Sequence, residues 1–146
     1  MSQQNHSDSG QFSKILILKF TLGSWHQSTR LTLEGGEVMV TPAASPPVIA
    51  YSPSNEEWNK FLESIVRLDV AHWKRSYMDP SILDGTQWHL QIKTESSEID
   101  TGGSNAYPEN FNGLIKSFNS LINNDYFTQS YANTPRYDPK SDTIYI

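Results

Sequence analysis

The sequence predicts an α+β fold: a mainly antiparallel sheet of five to seven strands with two helices on one face. Three observations predict it. Apolar residues alternate on both sides of Gly35-Gly36, as Leu31, Leu33, Val38 and Val40. A second alternation runs through Trp88, Leu90 and Ile92. Two other stretches, Trp58–Val66 and Phe111–Ile122, carry apolar residues three and four apart, the spacing of a helix that buries one side.

The elements follow in order. Residues 1–11 are polar and non-periodic and are expected to form a disordered N-terminal segment, with 12–146 as a single α+β domain. Lys14–Leu22 reads as a strand with Leu16, Leu18, Phe20 and Leu22 on one side. Ile15 and Ile17 on the other side suggest a central place in the sheet. Thr29–Glu34 and Glu37–Thr41 form a hairpin, because Gly35-Gly36 can supply the positive φ angles of a two-residue turn. That register sets Leu31 opposite Val40, Leu33 opposite Val38, and Glu34 opposite Glu37 at an exposed tip. Four prolines make Thr41–Pro53 a connecting loop, with Val48–Tyr51 pinned to the body. Ser54 and Glu57 form a capping box for a helix over 55–68, whose apolar stripe is Trp58, Phe61, Leu62, Ile65 and Val66.

Val70–Tyr77 reads as a further strand and Asp79–Gly85 as a turn-rich loop. A turn at Ser96-Ser97 would pair the Trp88–Ile92 strand with the segment around Ile99 and place Lys93 opposite Asp100. Pro108 is expected at the first position of the second helix, with Phe111, Leu114, Ile115, Phe118, Leu121 and Ile122 buried. Asn123-Asn124 ends that helix, and Thr143–Ile146 can add a short final strand. The two halves echo each other as a pseudo-repeat of hairpin plus helix, in organisation more than in identity.

Composition narrows the function. The 146 residues carry 16 acids against 11 bases, a formal charge of -5. Lys74-Arg75 is the only adjacent basic pair, so the basic density that tracks a phosphate backbone is missing and nucleic acid is disfavoured as a partner. The absence of cysteine removes disulfides, thiol catalysis and cysteine-held zinc, and leans towards a reducing, cytoplasmic location. The run Ile15–Leu18 is too short to span a bilayer and no cleavage site follows it, so no membrane helix or signal peptide is expected.

No motif with a known chemistry stands out. None of the histidines His6, His26, His72 and His89 has a second ligand at metal-binding spacing. Gly102-Gly103-Ser104 resembles an anion nest, but Asp100 and Glu109 would repel a phosphate there. Trp88, Asn105 and Tyr107 are candidate binding residues between sheet and loop, although a turn-closing Asn105 and a core-packed Tyr107 are the favoured explanation of the last two. Aromatic residues are plentiful outside the helices, and the low-charge tail offers Tyr126, Tyr131 and Tyr137 as candidate interface anchors.

The pattern Asp84-Gly85-x-x-Trp88-x-Leu90-x-Ile92, then Gly103-x-Asn105-Ala-Tyr107-Pro108-x-x-Phe111, resembles that of small uncharacterised bacterial proteins. The likeness covers about residues 73–122 and implies a bacterial origin and a shared structural motif, with no activity attached.

The sequence therefore reads as a non-enzymatic protein-binding module, in an inhibitor or immunity-type role, with a basic surface on its partner. A small-ligand or carbohydrate-binding domain using Trp88, Asn105 and Tyr107 is the alternative. A hydrolase using Asp84 and His89 as acid and base comes third. No catalytic residue, metal or cofactor is assigned, and the oligomeric state is open.

Overall fold

The computed structural model describes residues 15–24, 27–43, 48–81 and 85–127, and the backbone of 137–138 and 143–144. Its centre is one mixed sheet of seven strands: β1 (Ile15–Gly23), β2 (Ser28–Glu34), β3 (Glu37–Thr41), β4 (Ile49–Tyr51), β5 (Ser76–Met78), β6 (Gln87–Thr94) and β7 (Glu98–Ser104). The order across the sheet is β4-β3-β2-β1-β6-β7-β5. Every neighbouring pair is antiparallel except β5 with β7, which is parallel. Helices α1 (Asn55–Arg67) and α2 (Phe111–Leu121) pack on the same side. The fold is the expected α+β one, and β1 holds the central position that its doubly apolar start implies.

Local chemistry sets the elements as the sequence suggests in several places. Gly35 and Gly36 take φ of 60° and 85°, and the β2–β3 register is Leu31 to Val40, Leu33 to Val38 and Glu34 to Glu37. Both halves of the capping box form: Ser54 Oγ accepts from the Glu57 N–H at 3.1 Å, and Glu57 Oε1 accepts from the Ser54 N–H at 2.7 Å. The core lies between sheet and helices. Phe118 of α2 stacks on Phe20 of β1 at 4.6 Å and meets Phe61 of α1 at 5.1 Å, so one ring joins the central strand to both helices.

Four expectations need correction. Val70–Tyr77 is not one strand. Asp69 adopts a left-handed φ of 59°, a 3₁₀ turn follows at Val70–His72, and only Ser76–Met78 joins the sheet. Pro108 lies in the turn before α2, not at its first position: the Phe111 N–H donates to Pro108 O at 3.1 Å. Asn110 leaves its own helix uncapped and instead donates to Leu68 O, at the end of α1, at 2.7 Å. Lys93 stands opposite Glu98, and Asp100 opposite Gln91, because the β6–β7 turn is centred on Glu95-Ser96, with the Thr94 N–H donating to Ser97 O at 2.9 Å. Ser96-Ser97 has no glycine to take positive φ. The Thr94 hydroxyl organises the turn, accepting from the Ser97 N–H at 3.1 Å. Finally, Leu16 does not join Leu18 and Phe20. A register shift between Ile15 and Ile17 makes it the extra residue of a bulge, and it is 47% exposed. The glycine turn and the threonine-organised turn also limit the pseudo-repeat to overall order.

Beyond α2, Phe127 is buried and clamped. Asn119 accepts from the Phe127 N–H at 3.0 Å and donates to its carbonyl at 2.8 Å. Thr143–Ile144 does form a strand, paired with Tyr137–Asp138 in a separate two-stranded ribbon. Residues 1–11, expected to be disordered, lie outside the described residues.

Candidate functional site

Of the six residues that the sequence singles out, the structure describes the side chains of four, Trp88, Asn105, Tyr107 and Tyr126, and the contacts seen for them are within the fold. Trp88 is 3% exposed, and its indole Nε1–H donates to Ala106 O at 2.9 Å. Asn105 is buried, and its Oδ1 accepts from the Thr86 N–H at 2.8 Å. Tyr107 is half-buried with its ring against Phe111 at 4.9 Å. Tyr126 is half-buried against the core, as are Tyr51, Trp73 and Tyr77. These rings absorb much of the aromatic surplus that the sequence shows. Tyr131, the side chain of Tyr137, and Asp84 lie outside the described residues. His89 turns to the outer sheet face, opposite to Trp88, as its place in the alternation requires. Its Nε2 meets Asp100 Oδ1 at 2.7 Å, so the carboxylate beside it belongs to β7.

The geometry draws attention to the flank of β7. Asp69 and the 3₁₀ turn bow the chain outward after α1. It returns to β7 only at Lys74 and Arg75, where Lys74 O accepts from the Thr101 hydroxyl at 2.5 Å and Arg75 O from the Gly102 N–H at 3.1 Å. Between the bow and the β6–β7 hairpin lie two adjoining hollows, each about 380 Å³. One is polar, with Arg75, Glu98 and Asp100 on its walls. The other is apolar, with Ile65, Val66 and Ile99, and has Asp69 and His72 at its rim. Ala71, Glu98 and Ile99 border both, so the two hollows make one cleft. The charged and titratable groups that line the cleft are three carboxylates (Asp69, Glu98, Asp100), one guanidinium (Arg75) and the His72 imidazole.

The chain matches no protein-family model and no curated protein.

The cleft is also where the sheet is incomplete. In the β6–β7 ladder the Asn105 N–H donates to Thr86 O and the Thr94 N–H to Ser97 O, which marks the hydrogen-bonded pairs at its two ends. With the intervening register, the alternation of an antiparallel ladder gives β6 the backbone groups of Ile99, Thr101 and Gly103. Those of Glu98, Asp100 and Gly102 point the other way. Gly102 finds Arg75 there; among the described residues, Glu98 and Asp100 find no backbone partner. Val66, on the apolar side, is 56% exposed although it belongs to the apolar stripe of α1.

At the rim, His72 Nδ1 lies 2.6 Å from Asp69 Oδ1. That hydrogen bond, and then the charge of the carboxylate, raise the imidazole above its ordinary 6.5. The sign follows: the charged pair favours the folded state fully below the unfolded value and loses that contribution as pH rises through the raised folded value. An NMR titration should give His72 a midpoint above 6.5 in the native protein, and Asp69→Asn should bring it down. Asparagine tolerates the left-handed backbone at this position, so the change tests the pair and not the turn. A midpoint at or below the ordinary value would contradict the contact.

Among the described residues, no cluster of acidic groups and histidines could hold a metal ion, and no helix is long and apolar enough to cross a membrane. Sequence reasoning missed Glu98, Asp100 and Asp69 as site residues. The alternation of Glu98 and Asp100 with Ile99 is visible in the sequence, but it does not tell that this stretch of β7 borders a cleft, and no pattern marks Asp69.

Proposed function

We propose that the protein is a non-enzymatic module that binds the basic surface of another protein through the β7 flank. The observation that carries this reading is the cleft itself, where the Glu98 carboxylate stands with Asp100 and Asp69, each of these two hydrogen-bonded to a histidine (His89, His72), and with the one guanidinium of Arg75, beside an apolar hollow. Opposite charge speeds encounter and sets orientation, and the exposed Val66 with the half-buried Ile99 supplies apolar area to bury on docking. The overall charge of -5 acts in the same sense at longer range. An inhibitor or immunity-type role, in which a small acidic domain covers the working surface of a basic protein, suits this chemistry. A cytoplasmic setting fits the absence of cysteine.

Charge reversal tests the reading. Immobilised wild-type protein should recover a basic protein from lysate of its source cells at low salt. Glu98→Lys with Asp100→Lys should lower that recovery by roughly tenfold or more, as should half-molar salt. Equal recovery by wild type and the double variant would remove the β7 flank as the docking site.

A further inference from the structure

We propose that the occupant of the cleft is an extended segment of the partner, added as a strand to the free edge of β7, with apolar and basic side chains in alternation. This rests on the protein-binding reading above and specifies how the partner is held. The backbone groups of Glu98 and Asp100 face into the cleft, and a strand laid alongside would complete the pairing that β5 begins at Gly102. Edge groups of this kind are the usual template for a peptide that joins a sheet.

The chemistry of the segment follows from the two faces of β7. Side chains alternate, so Ile99 and Thr101 point to the helix side while Glu98 and Asp100 point to the outer side. An added strand has its side chains in the same two layers, with cross-strand neighbours about 5 Å apart. Its inner residues meet Ile99, Ala71 and Val66, and are therefore apolar. Its outer residues stand beside the carboxylates of Glu98 and Asp100, the latter also in contact with His89 on its β6 side at 2.7 Å, and are therefore lysine or arginine, with Glu98 the stronger attractor. Lys93 lies on the far side of β7, one strand away, and does not line the cleft. A helix or a folded surface would leave the Glu98 and Asp100 backbone unpaired in a confined space, which is costly.

The probe is an acetylated, amidated hexapeptide of alternating valine and lysine, titrated into the ¹⁵N-labelled full chain. The amides of Glu98 and Asp100 should shift and become protected from exchange. Two further peptides carry N-methyl groups at every valine or at every lysine. In a strand, backbone direction and side-chain face are tied, so only one of these classes points its N–H groups at β7. One methylated peptide should bind roughly tenfold or more weakly and the other nearly as well as the parent. Loss with methylated lysines indicates an antiparallel addition, and loss with methylated valines a parallel one. On the protein side, Asp100→Pro removes the outward N–H without touching the β6 ladder, a place where an edge strand accepts proline. It should weaken peptide binding more than Asp100→Ala does.

If both methylated peptides bind as the parent does, strand addition is wrong whatever the variants do. If Glu98→Lys with Asp100→Lys abolishes partner recovery while Asp100→Pro and N-methylation change nothing, the protein-binding reading stands and this inference falls. A concentration-dependent dimer that Asp100→Pro dissolves would put a second copy of the chain on the edge and overturn the assignment.

Discussion

Replacing Phe118 by alanine should cost about 3–5 kcal/mol, the range for emptying a fully enclosed aromatic site. Its ring is wholly buried and stacks nearly parallel on Phe20 at 4.6 Å, while Phe61 and Phe127 tilt against it at 5.1 and 6.0 Å. The vacated space would border the central strand, both helices and the segment after α2. None of these can move in without leaving another contact, so little of the loss is recovered by collapse. Since a domain of this kind is stable by only about 5–15 kcal/mol, the variant should be close to unfolding at room temperature. Urea denaturation followed by tryptophan fluorescence measures the effect through the midpoint. Phe118→Leu, which keeps most of the volume, should cost roughly 1–2 kcal/mol. A loss below about 1 kcal/mol for the alanine variant would mean that the helices do not share this core.

The second large effect belongs to Asn105. Its backbone has a left-handed φ of 61°, which asparagine adopts more readily than most residues. Its N–H donates to Thr86 O at 2.8 Å, and its Oδ1 accepts from the Thr86 N–H at 2.8 Å, so one residue closes the end of the β6–β7 ladder with a double clamp. Alanine keeps the first bond and deletes the second, leaving the N–H of buried Thr86 without an acceptor. An unpaired donor costs about 1–3 kcal/mol, and the less suitable residue at positive φ adds about 1 kcal/mol. The expected loss is thus about 2–4 kcal/mol. Gly85 should couple to it, because a Cβ there would lie 2.0 Å from Asn105 Oδ1. Asn105→Ala therefore relieves part of the clash in Gly85→Ala, and the double variant should lose less than the sum of the singles. An Asn105→Ala protein with an unchanged urea midpoint would release this side chain for ligand binding.

These two residues also show how much the sequence reveals. The stripe that places Phe118 inside is legible because helical spacing is strict and every member of it is apolar. The β2–β3 register is legible because two glycines determine the turn. The β6–β7 register is off by two residues because a threonine side chain, not a backbone angle, organises the turn. Shifting by two preserves the faces, so Ile99 stays on the core side, where it meets Ile92 in place of Thr94, and the charged neighbours change as well.

The candidate site was far less legible. It depends on Asp69 taking a left-handed turn and on β5 joining β7 over three residues only, and both are outcomes of tertiary packing. Val66 continues a helical stripe that reads as buried, yet the stripe extends past the edge of the sheet it covers. Trp88, Asn105 and Tyr107 drew attention as an unusual cluster. The observed bonds explain Trp88 and Asn105 as fastenings between a loop and a strand end.

The parallel pairing of β5 with β7 bears on the order of assembly. β5 has no hairpin to bring it in: the chain must first pass out through β6 and back along β7 before Ser76 can meet Gly102. A parallel pairing of only three residues repays little of the loop entropy that closing it costs, so it is expected to form late. Only three residues hold the strand once it arrives, so the same segment should be among the first to let go in the folded protein. One lip of the cleft is therefore a lightly anchored edge of the sheet, as β4 is at the opposite edge, and the gap it frames can widen at little cost while the rest of the domain stays closed.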